Sequence, residues 1–122
     1  MTNEAVRRGM AGLGIDGAIR DVAEIRDLDI PCFTRAVTPA GPNSSFIGDV
    51  GGPISCGGVQ IKTGDLVIGD DDGITIVPKA RMAEVLAACQ ATLQAEGEWE
   101  RRIAAGEPFS DILELPPMEP AP

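Results

Sequence analysis

The chain contains no histidine. That absence removes the commonest general base, any Ser-His-Asp or phosphohistidine chemistry, and the usual partner of cysteine in a zinc site. Proton transfer must then fall to a carboxylate, a lysine, a metal-bound water or a group from another chain. Aromatic residues are only 3% of the composition against 43% apolar, so a core has to be built from Val, Ile, Leu and Ala. Cysteine is sparse too: Cys32, Cys56 and Cys89 form no C-x-x-C pair, and they read as reduced, buried small hydrophobes of a cytosolic protein. Basic residues number 10 against 19 acidic ones, giving a net charge of −9 and a pI near 4.3. A nucleic-acid partner is excluded on that balance, whereas a basic protein partner is allowed. The start, MTNEAVRRGMAG, has no apolar h-region, and no run approaches the length of a membrane span. The expectation is a soluble, cytoplasmic protein without membrane contact. Its 122 residues make one domain, able to bury about two thirds of the surface it would expose unfolded.

The densest stretch is Gly12 to Asp21, GLGIDGAIRD. Leu13 and Ile15 read as a brief strand and Asp16-Gly17 as a turn, which leaves Arg20 and Asp21 just past the strand's end. Ligands collect at such ends in open α/β sheets. There a carboxylate can hold a hard divalent cation while a guanidinium grips a substrate carboxylate in two places. The plainer alternative is a solvated ion pair at a helix start.

Before this stretch, residues 3 to 10 have the look of a helix end, with Arg7 and Arg8 suiting its C-terminal dipole and Gly9 or Gly12 stopping it. A helix end feeding a strand that has no earlier strand to pair with suggests a preceding portion of a larger domain. A short helix is expected from about 21 to 28, ended by Pro31, and a strand at 32–37, CFTRAV. Residues 38–53 are dense in Gly, Pro, Ser and Asn and read as a long functional or interfacial loop. Four apolar runs follow, at 54–56, 59–61, 66–68 and 74–77, separated by turn signals, and they predict an antiparallel meander. Asp70-Asp71-Asp72-Gly73 lacks the ligand spacing of an EF-hand and reads as a turn. Pro78 opens a helix to about Ala105, with Met82, Val85, Leu86, Cys89 and Leu93 on one stripe. Residues 107–122 form a Pro-rich acidic tail in which Phe109, Ile112 and Leu113 can dock and the last residues are expected to be disordered.

This order of motifs, GLGIDGAIRD, IPCFTR, GGPISCGGVQIKTGDLVIGDDDGITIVP and a long helix with Glu96 ahead of Gly106, resembles the 4-hydroxy-4-methyl-2-oxoglutarate aldolase family and its RraA-like sister group. The likeness covers about residues 3 to 113. It implies an α/β fold of the swivelling β/β/α type, an RraA-like domain over 1–106, and homotrimers or hexamers with active sites between subunits. It also implies that Asp21 binds magnesium or manganese, that Arg20 binds the substrate, and that Glu96 of a neighbouring subunit reaches the metal through water. A solvated place among Glu98 and Glu100 is the other reading of Glu96. The family carries a further half, with a Gly-Asp loop, before the region matched here, so the resemblance implies an N-terminally truncated member.

The activity so implied is divalent-metal-dependent cleavage of 4-hydroxy-4-methyl-2-oxoglutarate to pyruvate, with oxaloacetate decarboxylation as a side activity and a small 2-oxo acid as substrate. Two alternatives stand beside it: a non-catalytic RraA-like regulator whose acidic surface binds ribonuclease E or another basic protein, and an inactive fragment of the aldolase.

Overall fold

In a computed structural model the chain is described over residues 1–43 and 45–116. It divides into two units, Met1–Lys79 and Ala80–Pro122. The first opens with helix α1, Thr2–Arg7, whose Ala5 is buried and whose exposed Glu4 accepts hydrogen bonds from both Arg7 and Arg8 (2.7 Å from each Nε). Those two guanidinium groups hold the Glu4 carboxyl down at about 2.

Strand β1, Leu13–Ile19, pairs in parallel with β2, Cys32–Val37, through a crossover that holds only the short helix α2, Val22–Arg26. The connection, residues 20–31, is about the dozen that a parallel crossover requires. Asp16-Gly17 is therefore not a turn. The dipeptide lies inside β1 as an irregularity of the pairing, because the partner strand supplies a ladder that local turn chemistry cannot outweigh.

The four apolar runs form two separate antiparallel hairpins rather than one meander: β3, Ile54–Cys56, with β4, Val59–Ile61, and β5, Leu66–Asp70, with β6, Gly73–Val77. The first closes through Gly57-Gly58, both at positive φ (60° and 80°), as a two-residue turn between twisted strands demands. Between the hairpins, the Asp65 carboxylate accepts the backbone N–H groups of Lys62 (2.8 Å) and Lys79 (2.9 Å), which hold it below the ordinary carboxylate range. The β1–β2 pair meets the second hairpin at two close approaches. A Cβ on Gly69 would lie 2.7 Å from the Phe33 ring, and one on Gly14 would lie 3.4 Å from Ile74. Val77 and Ile30 are buried in this unit.

The chain passes from the first unit to the second within a 3₁₀ turn, Lys79–Arg81; the second holds α3, Met82–Ala104, and α4, Phe109–Ile112, which packs back on α3. Ile112 is buried, Leu113 half-buried and Phe109 exposed, so Ile112 is the anchor of the three expected to dock. The expected disorder at the end of the tail falls on residues 117–122, outside the described residues. The apolar stripe of α3 is present, but none of its residues is buried: Met82 and Val85 are half-covered, while Leu86, Cys89 and Leu93 are exposed. Cys89 is thus no core residue, and Cys32 and Cys56 are only half-buried; all three thiols are free. Among the described residues no helix is long and apolar enough to cross a membrane.

Candidate functional site

Arg20 and Asp21 follow directly on the last residue of β1, where the pairing with β2 ends at Ile19 and Val37. Asp21 takes the left-handed conformation (φ 60°, ψ 41°), which Asp tolerates better than most residues. It stands at the N-cap of α2, yet its carboxylate makes no capping hydrogen bond. The side chain is therefore not spent on the helix: its Oδ2 lies 3.3 Å from Arg20 Nε, and both side chains are more than half exposed.

The pair lines a cavity of about 620 Å³. Ile15, Ala18 and Ile19 of β1 and Ile25 and Leu28 beyond Asp21 give it apolar walls. Its polar side chains are those of Thr2, Asn3, Arg20, Asp21, Glu24 and Thr38. The loop after β2 closes one side, where a Cβ on Gly41 would lie in ordinary contact with Arg20 Nη1, at 3.4 Å. One cation stands here beside two carboxylates over an apolar floor.

The donor set bears on a metal ion directly. Among the described residues no group of three or more Cys, Asp or Glu side chains could cage one. One exposed carboxylate at Asp21, with Glu24 three residues on, fits instead the habit of magnesium, which keeps most of its waters and takes one or two carboxylates. Glu96 does not line this cavity; it is exposed on α3, in the second unit. Glu24, Thr38 and Gly41 escaped the reading of the sequence. Glu24 could have been found from its place three residues after Asp21 on a helix, the spacing that shares a face. Thr38 and Gly41 reach the site only through the β1–β2 pairing, which no local pattern announces.

Residues 1–76 match the profile described as RraA-like: Aldolase/RraA. A Halalkalibacterium halodurans protein named "Putative 4-hydroxy-4-methyl-2-oxoglutarate aldolase" is 47% identical over 78 residues, covering 64% of this chain and 37% of its own length. Among solved structures, an uncharacterized protein from Pseudomonas syringae pv. tomato superposes with a TM-score of 0.78 at 28% identity, covering 92% of this chain and 56% of its own. Streptomyces coelicolor RraAS2, described as an unusual member of the RNase ES inhibitor RraA protein family, gives 0.73 at 34%, covering 82% and 52%. The chain thus spans roughly half or less of the length of the relatives it matches.

Proposed function

Because the chain belongs to the RraA-like family, Aldolase/RraA, we propose that it acts as a divalent-metal-dependent aldolase or decarboxylase of 2-oxo acids. The observation that carries this reading is the meeting of Arg20 and Asp21 at one cavity past the end of β1. Relatives bearing the aldolase name support the reaction class. In this reading the Arg20 guanidinium binds a substrate carboxylate in two places and fixes the chain of the acid across the apolar floor. Asp21 holds magnesium or manganese, with Glu96 of a second copy in a trimer or hexamer reaching its water shell. The cation, when bound, supplies Lewis acidity toward the 2-oxo oxygen.

Cleavage of 4-hydroxy-4-methyl-2-oxoglutarate removes the hydroxyl proton and breaks the bond between C3 and C4. The electron pair stays on the fragment that takes up a proton to become pyruvate, and the other fragment leaves as pyruvate too. Without histidine, the proton acceptor is a carboxylate or water. The test is pyruvate release from this acid and from oxaloacetate, with magnesium and with chelator, in the wild-type chain and in Asp21→Asn. We expect metal-dependent release, reduced at least about tenfold in the variant. No release above the metal-only blank from a folded sample would refute the enzymatic reading.

A second reading, favoured by the likeness to RraAS2 and by the net charge of −9, is a regulator whose acidic surface binds a basic protein. Magnesium raises the melting temperature in the first reading, because it binds the folded chain alone, and leaves it unchanged in the second.

A further inference from the structure

The register of β1 against β2 carries an inference about how the site is aimed. Ile15 pairs with Thr34, but Ala18 pairs with Ala36, so β1 spends three steps where β2 spends two. One extra residue is therefore inserted at Asp16-Gly17. Bulges are uncommon in parallel pairs and recur next to active sites, where they turn a side chain to a new direction. Here the result follows from register. Ile15, Ala18, Ile19 and Arg20 all line the cavity, together with Thr38, so residues of both sides of β1 reach it, and what the inserted residue changes is which residue of the β2 segment each one stands beside. Continued from Ile15 and Thr34 without the insertion, Arg20 would come level with Pro39; continued from Ile19 and Val37, it comes level with Thr38, which lines the cavity.

Two side chains hold the insertion. The Thr34 hydroxyl donates to the Gly17 carbonyl at 2.7 Å in a partly buried setting, satisfying an oxygen at the point where the ladder is irregular. Its alternative acceptor, the Ala36 carbonyl, is farther, at 3.2 Å. The Asp16 carboxylate accepts the N–H of Gly57 at 2.8 Å and pairs with Arg35, which ties the insertion to the turn of the first hairpin. Gly17 itself has space for a Cβ, whose nearest neighbour would be Ile15 at 3.9 Å.

We propose that the Asp16-Gly17 bulge sets Arg20 level with Thr38 at the cavity, and that Thr34 and Asp16 are its positioning residues. The functional meaning rests on the aldolase reading; the geometry does not. The test compares Thr34→Val, which keeps the shape and loses the hydroxyl, with Thr34→Ser, which keeps the hydroxyl. The first readout is the NMR signal of the Arg20 Nε–H group and the amides of Arg20, Asp21 and Thr38. The second is affinity for oxalate in the presence of manganese.

Thr34→Val is expected to shift the Arg20 Nε–H signal and to weaken oxalate about tenfold, with Thr34→Ser close to wild type in both. Changes confined to residues 16, 17 and 34 and their immediate neighbours, with Arg20 at its wild-type position, would overturn the proposal. If Thr34→Val does not fold, the same signals are read on Asp16→Ala, with the same two outcomes. A wild-type chain that binds no oxalate would defeat the aldolase reading, while the Arg20 signals would still decide the role of the bulge.

Discussion

The two hairpins and the parallel β1–β2 pair are built by different means, although they lie in one unit. Each hairpin is closed within its own short segment: Gly57-Gly58 makes one turn, and the Asp70 side chain accepts the Asp72 N–H at 3.0 Å in the other. Every residue of β5 is exposed, so this strand is held mainly by its partner and its turn. The parallel pair has no turn to set its register. Its strands are joined across residues 20–31, its inner residues alternate between half-buried and exposed, and an inserted residue is pinned by side chains from β2 and by a turn of another hairpin. The candidate site belongs to the second kind of construction. Local chemistry makes the scaffold, and non-local register aims the groups that carry function.

The strongest way to break this division is to strike where the two regions touch. Gly69→Val would drive a side chain into the Phe33 ring, which a Cβ alone already approaches to 2.7 Å. A loss of about 2 kcal/mol is expected, with the melting temperature lower by roughly 10 °C, and calorimetry reads it. A smaller and more local effect is expected in the first hairpin. Gly58→Val places a β-branched residue at φ 80° and costs about 1 kcal/mol, whereas Gly58→Asn costs less than half as much. Amide exchange over 54–61 should rise in the Val variant while the amides of β1 and β2 stay protected; loss of protection in both regions would erase the distinction.

The smallest effect concerns acid. Asp65 is held below its ordinary range by two backbone donors, so its contribution is present above the unfolded carboxylate value of about 4 and fades as pH falls through the lower folded value. The amides of Lys62 and Lys79 should be protected at about pH 5 and lose protection progressively below about pH 4. In Asp65→Ala that protection should be missing at both, with the β5–β6 ladder little changed.

What could be read from the sequence follows the same division. The range of β2 at 32–37, the four runs of the hairpins, the Gly57-Gly58 turn and the long helix after Pro78 are all local signals, and each element stands where its residues put it. Asp16-Gly17 misled because Asp-Gly is a turn signal only when no distant strand captures it. The meander failed for a related reason: the turn at Thr63-Gly64-Asp65 is anchored by Asp65 to Lys62 and Lys79 and does not bring β4 beside β5. The stripe on α3 gave the helix but not its cover, since periodicity names a face and not a partner. At the site, Arg20 and Asp21 were visible as a pair past a strand end, and the backbone of Asp21 was not.

That left-handed backbone makes Asp21 a residue with two separate reasons to be there, and any genetic test at this position inherits both. Alanine removes the carboxylate and also occupies a conformation that costs an ordinary L-residue about 1 kcal/mol. A dead alanine variant is therefore ambiguous between lost chemistry and a distorted strand end. Asp21→Asn removes charge while keeping a side chain that tolerates the conformation, and Asp21→Gly removes the side chain while relaxing the backbone. Read together, the two divide what a single alanine would confound.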